Sequence, residues 1–168
     1  MASLPISRTA AGVCVGVDRP RLLHDLNAAA SGAKRFHEWL LEQKDHGVQV
    51  ESTLLTDADG AAVTRIQILD AVKAAIKQSC DVLFLYLAGH GVAHSAYEEK
   101  LLLSGVADDD AEAVNLHVVK QRGKYCGIPH VVVIYDACRS FALSERLRQI
   151  SAGPIFPAGA NSRSGGHV

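Results

Sequence analysis

Residues 82–91 read VLFLYLAGHG and residues 131–140 read VVVIYDACRS, and these two stretches decide the fold. Each begins with an apolar run of strand length, and runs that are apolar on both faces are typical of strands buried in a parallel sheet. Such sheets bind ligands at the carboxyl ends of their strands. We therefore expect His90 and Cys138 to lie side by side at that edge, where a histidine can convert a thiol into a nucleophilic thiolate.

The properties of the whole chain are those of one globular domain. Its 168 residues are 48% hydrophobic and 21% charged, as is usual for a domain with a sizeable core. A formal net charge of -1 argues against a nucleic-acid partner, because such proteins usually carry a basic excess. No apolar run approaches the ~20 residues that span a bilayer. Residues 1–8 lack the pattern of a secretory signal, so we expect no membrane contact and a cytoplasmic protein with reduced thiols.

The cysteines do not form a metal-binding pattern. The chain has four of them, Cys14, Cys80, Cys126 and Cys138, and none belongs to a CxxC pair, so a zinc site is not expected. Cys14 and Cys80 adjoin apolar runs and are interpreted as small buried hydrophobic residues. We predict no metal and no other cofactor.

Apolar spacing predicts strands that alternate with helices. The strands are expected at 13–17, 48–55, 82–87 and 130–135, with a shorter one at 101–103. The first helix is expected to begin at Ser31 as its cap and to run through Leu40, and the second to begin with the capping box of Thr64 and Gln67. Further helices are expected at 114–121 and 143–150.

This alternation predicts an α/β fold in which a mostly parallel sheet carries helices on both faces. The folded domain is expected to cover residues 1–150. From residue 151 to residue 168 the composition shifts to Gly, Pro, Ser and Ala, which predicts a linker or tail.

The two quoted stretches also carry a resemblance. One hydrophobic strand ends in His90-Gly91, another ends in Asp136-Ala137-Cys138, and the histidine precedes the cysteine by 48 residues. Caspases have a similar separation of about 50 residues. From about Val13 to Ser140 the chain resembles the large-subunit portion of the caspase-like cysteine peptidases, above all the metacaspase-type and prokaryotic branch. The resemblance implies a three-layer sandwich that lacks the small-subunit strands.

The resemblance also implies a role for each matching residue. Cys138 would attack a peptide carbonyl, while His90 would accept the thiol proton and later protonate the leaving amine. The backbone N–H groups of Gly91 and Cys138 would face the developing oxyanion. No third catalytic acid is implied.

Asp136 would define the substrate, because in this family the residue two positions before the cysteine lines the pocket for the side chain that precedes the cut. A carboxylate there favours Arg, and less strongly Lys. Asp136 as a turn or cap residue is the alternative. Arg163, in the tail, is the candidate site of self-cleavage.

The chain departs from the family pattern at residues 31–33, where many basic-specific members carry a second pocket carboxylate and this chain has Ser-Gly-Ala. Asp18, Asp25 or the acidic run 108–110 are candidate replacements. The implied partners are a protein or peptide substrate, a small-subunit fragment that completes the sheet, and sensor or regulatory modules in a signalling or defence role. Some metacaspases depend on calcium, but no spaced ligand pattern supports that here.

Two other classes of function remain as alternatives. One is a caspase-fold scaffold that binds partners without cleaving them, although a scaffold has no need of His90 and Cys138. The other is a nucleotide-binding domain, but the chain lacks the GxGxxG and GxxxxGK[ST] strings expected of one.

Overall fold

The computed structural model describes residues 8–95, 98–138, 140–142 and 144–158. Its main sheet consists of four parallel strands, ordered β2-β1-β3-β7. Their bounds are Arg8–Gly16 for β1, Val48–Thr56 for β2, Val82–Gly89 for β3 and His130–Ala137 for β7. The predicted strands are therefore confirmed. Strand β1 begins five residues earlier than expected, because residues 8–12, which form no continuous apolar run, also pair with β2.

A second, smaller sheet was not predicted. Its order is β6-β5-β4-β8, and its strands are Gly91–Ser95 (β4), Glu98–Leu102 (β5), Ala113–Asn115 (β6) and Ser140–Phe141 (β8). Strands of two to five residues give too few positions for a period-two pattern. Only the apolar run at 101–103 signalled one of them, and it overlaps the end of β5.

Helices cover both faces of the main sheet, so the predicted α/β three-layer arrangement is confirmed. They are α1 (Ala29–Glu42), α2 (Arg65–Lys77), α3 (Leu116–Gly123) and the short α4 (Glu145–Gln149). Helix α1 packs on one face with Cys14 and Tyr86, whereas α2 and α3 pack on the other with Leu83 and Leu85. No helix within the described ranges is long and apolar enough to cross a membrane.

The start of α1 differs from the prediction. Ser31 lies inside the helix, and the N-cap residue is Ala28, whose side chain cannot cap. The carboxylate of Asp18 instead accepts hydrogen bonds from the backbone N–H groups of Ala29, at 2.8 Å, and Ala30, at 3.4 Å. A carboxylate satisfies the free N–H groups of a first turn and complements its dipole. The cap thus comes from a residue eleven positions away, which a local pattern does not reveal.

For α2 and α3, the polar residues at the start of each helix can be compared with the start that the sequence predicted. The capping box of Thr64 and Gln67 is present as predicted at the start of α2. Helix α3 begins later than expected, at Leu116, because Val114 belongs to β6 and Asn115 caps the helix by accepting from the N–H of Val118. A capping box, in which two side chains take part, was therefore recognised from the sequence, whereas a single capping side chain was not.

The first part of the predicted linker is packed against the domain. Within 151–158, Ile155 and Phe156 are buried in the core shared with α2 and α3. Arg65 and Arg122 donate hydrogen bonds to the carbonyls of Pro154 and Phe156. Two large apolar residues outweigh the surrounding Gly, Pro and Ala, because their burial provides a favourable free energy of about 2 kcal/mol each. The predicted linker or tail therefore begins with a segment that is anchored to the domain through Ile155 and Phe156, and 159–168 lie outside the described residues.

Candidate active site

His90 and Cys138 occupy equivalent positions, each at the point where the chain leaves the main sheet for the smaller one. His90 stands between β3 and β4, and Cys138 stands just before β8. The strands are in register before and after this crossing, because Gly89 pairs with Ala137 and Val92 pairs with Ser140. In both pairs the two partners are 48 residues apart in the sequence, as are His90 and Cys138. The carboxyl ends of β3 and β7 therefore deliver the two residues next to each other, as adjacent parallel strands are only about 5 Å apart.

The ring of His90 is buried and oriented by a backbone carbonyl. Its exposed fraction is 6%, and Nε2 lies 2.8 Å from the carbonyl oxygen of His24. A carbonyl oxygen can only accept, so Nε2 carries the proton and, in the neutral ring, Nδ1 is the basic nitrogen. The ring of His24 also meets that of His90 edge-on, with centroids 4.7 Å apart. This arrangement prepares His90 to accept a proton through Nδ1.

Two carboxylates hold the loop that contains His24. Asp57 is 3% exposed and accepts from the N–H groups of Asp18 and Arg19, at 2.9 Å and 2.7 Å. Asp18 then caps α1 at the other end of the loop, and its carbonyl accepts from the N–H of Leu26. His24 could not be recognised from the sequence, since a residue that acts through its main-chain oxygen leaves no side-chain signal.

Gly91 lies directly against the backbone of Cys138. A Cβ atom on Gly91 would overlap the carbonyl oxygen of Cys138 and the hydroxyl of Tyr135. Only glycine permits this approach of the two main chains. The two residues whose N–H groups were expected to face an oxyanion are thus neighbours in the structure.

Tyr135 was not predicted as part of this region. Its hydroxyl is buried, and among the described residues none forms a hydrogen bond with it. Burial raises the pKa of Tyr135, and the nearby acidic groups of Glu99 and Cys138 raise it further. A protonated phenol therefore lies beside Gly91 and Cys138.

Cys138 differs from the other three cysteines in exposure. It is exposed, whereas Cys14, Cys80 and Cys126 are buried and all four thiols are free. Burial raises the pKa of Cys14 to about 11 and also raises the pKa values of Cys80 and Cys126. Because a thiolate rather than a thiol is the nucleophile, Cys138 is the cysteine best placed to react.

Asp136 lies near the end of β7, on the same face of the main sheet as α1. It is exposed, and its Oδ2 accepts a hydrogen bond of 2.7 Å from the hydroxyl of Tyr86. Because Asp136 lies within a strand, the alternative that it caps a helix or forms a turn is wrong. Sequence reasoning did not identify Tyr86, which belongs to an apolar run and looked like part of the core.

Most of the candidate replacements for a second pocket carboxylate are engaged elsewhere. Asp18 caps α1, Asp108 pairs with Arg21, and Asp110 pairs with Arg146. Asp25 is exposed in the loop of His24. Within the described ranges, no three His, Cys, Asp or Glu side chains form a group that could hold a metal ion. Arg163 lies outside the described residues.

A crossing between two sheets that carries an exposed cysteine beside a buried, oriented histidine defines a candidate cysteine hydrolase. The family model described as the caspase domain matches residues 20–163. The chain therefore belongs to the caspase-domain family of cysteine peptidases, and the resemblance noted in the sequence is confirmed. A sequence comparison with curated proteins gives no match.

Proposed function

We propose that this protein is a cysteine endopeptidase that cuts proteins after Arg, and less readily after Lys. The observation that carries the proposal is the register of β3 and β7, which brings His90 and Cys138 to one edge, with Asp136 two residues away. Membership of the caspase-domain family supports the same reaction class.

In the proposed reaction, Nδ1 of His90 accepts the proton of the Cys138 thiol. The thiolate attacks the peptide carbonyl carbon, and the backbone N–H groups of Gly91 and Cys138 stabilise the negative charge on the carbonyl oxygen. The C–N bond then breaks as His90 gives its proton to the leaving amine. Water hydrolyses the thioester that remains, with His90 accepting a proton from the water, and the free thiol is restored.

Asp136 is the proposed recognition group for the residue that precedes the cut. It is exposed at the carboxyl end of β7, two residues from the nucleophile, where a substrate side chain next to the scissile bond would reach it. A carboxylate can bind a guanidinium through two parallel hydrogen bonds, but binds an ammonium only as a point charge. This difference is the basis for preferring Arg to Lys.

A small-subunit segment is the proposed partner of β7. This strand stands at the end of the strand order, so its outer edge pairs with no strand of the described part of the chain. On this strand Val132 is 38% exposed. An added strand would pair with the main-chain N–H and C=O groups of the outer edge of β7. Hydrogen exchange of the β7 amides should slow when that segment is supplied, and unchanged exchange would argue against this partner.

We further propose that the protein cleaves itself after Arg163. The proposal also includes control by sensor or regulatory modules and a signalling or defence role in the cytoplasm. Arg163 is the basic residue of the tail that matches the proposed specificity. Mass spectrometry after incubation should find a cut between Arg163 and Ser164. The cut should disappear in Arg163→Ala and in Cys138→Ala, and its persistence in Cys138→Ala would exclude self-processing.

Peptide cleavage gives the decisive test. Fluorogenic peptides that end in Arg, Lys or Asp are incubated with the protein, together with its small-subunit segment, and with Cys138→Ala and Asp136→Ala. We expect cleavage of the Arg peptide, slower cleavage of the Lys peptide, and none with Cys138→Ala. Asp136→Ala should retain alkylation of Cys138 by iodoacetamide but lose most cleavage after Arg. Preference for Asp would overturn the specificity, and cleavage independent of Cys138 would overturn the mechanism. Absence of all cleavage would favour the non-catalytic scaffold.

A further inference from the structure

Tyr86 lies next to the proposed specificity residue and is bonded to it. In the register of the main sheet Tyr86 is opposite Ile134, and Ala88 is opposite Asp136. Tyr86 and Asp136 are therefore diagonal neighbours on one face, a separation that a long aromatic side chain can bridge. The hydroxyl of Tyr86 donates to Oδ2 of Asp136 at 2.7 Å.

The tyrosine ring is fixed from the side of α1. It stacks on Phe36 with centroids 5.0 Å apart and an angle of 19° between the planes, and Tyr86 is only 8% exposed. Burial, together with the hydrogen bond and charge of Asp136, raises the pKa of Tyr86 to about 12. The phenol is therefore protonated at neutral pH, and its proton points to the carboxylate.

Gly32 of α1 leaves room for this contact. A Cβ atom on Gly32 would lie 2.9 Å from the hydroxyl oxygen of Tyr86, closer than real Cβ atoms come to other heavy atoms. Any side chain at position 32 would have to displace the hydroxyl. Gly32, in the segment where many basic-specific members of the family carry a second carboxylate, thus faces a neutral phenol that holds the carboxylate of Asp136.

We propose that Tyr86 is a positioning residue that sets the preference of this pocket for Arg over Lys. The proposal rests on the proposed function of Asp136. With one lone pair of Oδ2 occupied by Tyr86, the plane of the carboxylate is fixed, and Oδ1 and the second lone pair of Oδ2 remain for the substrate. A planar guanidinium gains from a fixed carboxylate because its two hydrogen bonds need one relative orientation. An ammonium, which acts as a point charge, gains much less.

A positive charge close to Tyr86 makes the hydrogen bond between Tyr86 and Asp136 more important. Arg35, which is exposed on α1, lies near enough for its charge to lower the pKa of Tyr86 against the larger effects of burial and Asp136. The same positive charge opposes a basic substrate side chain. Discrimination must therefore come from hydrogen-bond geometry as well as from net charge.

The test compares Tyr86→Phe with the matched control Tyr125→Phe, since Tyr125 is 58% exposed in the turn that follows α3. For Tyr86→Phe we expect KM for Arg peptides to rise about tenfold, the order of one hydrogen bond to a charged group. We expect kcat, and the kinetics on Lys peptides, to change by a factor of about two or less. Gly32→Ala, which crowds the hydroxyl from the other side, should shift the Arg-to-Lys ratio in the same direction. Thermal unfolding checks that both variants fold.

The outcomes separate this inference from the proposed function. If the wild-type protein cleaves after Arg and Tyr86→Phe keeps its Arg-to-Lys ratio, the role of Tyr86 is overturned while the function of Asp136 stands. An equal loss on Arg and Lys peptides, carried by kcat, would mean that Tyr86 is merely structural and would also overturn the inference. If the wild-type protein cleaves after neither Arg nor Lys, the pocket assignment fails first and this inference fails with it.

Discussion

Main-chain atoms hold the proposed catalytic half of the site, which comprises His24, His90, Gly91 and Cys138. A side-chain hydrogen bond holds the proposed pocket half, which comprises Gly32, Tyr86 and Asp136. His90 is oriented by the carbonyl of His24, and Gly91 abuts the carbonyl of Cys138. Asp136 is oriented by the hydroxyl of Tyr86. Because main-chain atoms hold the catalytic half, most side-chain replacements should leave it unchanged, but it depends strictly on the path of the backbone.

This difference bears on how each half can change. A single substitution can remove the hydroxyl of Tyr86, so the specificity of the pocket can shift while the fold is kept. The carbonyl of His24 cannot be removed by substitution and can only be moved. We therefore expect the catalytic half to respond to changes in backbone position, and the pocket half to respond to changes in side-chain chemistry.

The largest effect is expected for Gly91→Ala. Its new methyl group would overlap main-chain atoms of Cys138, so β4 and Cys138 would have to separate. A misplacement of about 1 Å at a reacting group costs about 100-fold in rate, and we expect at least that loss in kcat/KM. Gly105→Ala is the control, because its nearest neighbour would be the flexible side chain of Glu112 at 3.1 Å. Activity near that of the control would show that the contact between the two main chains is unimportant.

An intermediate effect is expected for Asp18→Ala. The variant leaves the first N–H groups of α1 without the carboxylate that caps them, and the loss of a cap costs about 1 kcal/mol in the free energy of unfolding. The loop that carries the His24 carbonyl should loosen as well, so kcat should fall more than KM rises. Denaturant unfolding and peptide kinetics measure the two effects. Asp25→Ala, which removes the same charge from the same loop, should change stability little, and an equal loss there would contradict the capping role.

The smallest effect is expected for His24→Ala. The carbonyl that meets His90 remains, and only the edge-on ring contact is lost. Such a contact contributes about 0.5 kcal/mol or somewhat more, so activity should stay within a factor of about three. Steady-state kinetics across pH 5 to 9 would detect any larger role. A loss comparable to that of Gly91→Ala would mean that the His24 side chain, and not its backbone, serves the site.

The parts of the fold that sequence predicted are those with long uniform signals. The runs at 82–91 and 131–140 gave strands β3 and β7, and their ends gave the positions of His90 and Cys138. The capping box of Thr64 was predictable because both of its partners are local. In each case the physical cause is apolar burial or a hydrogen bond to a residue three positions away. The residues responsible are therefore close together in the sequence.

The features that sequence missed depend on distant partners. The cap from Asp18 and the contact between Tyr86 and Asp136 join residues separated by 11 and 50 positions. The burial of Ile155 and Phe156 depends on the core residues of α2 and α3, which are distant in sequence. The role of His24 belongs to an atom that every residue has. No composition or spacing pattern distinguishes such residues from their neighbours.

The shared register of the two sheets makes the placement of His90 beside Cys138 resistant to strand slippage. For Cys138 to move one residue along His90, the pairing of β3 with β7 and that of β4 with β8 would have to break together. An insertion in the turn at 105–112 would leave both pairings intact, whereas an inserted residue between Ala137 and Ser140 would put them out of step. The position of Cys138 is therefore set by strand pairing on both sides, and a change in the length of the turn at 105–112 would leave it in place.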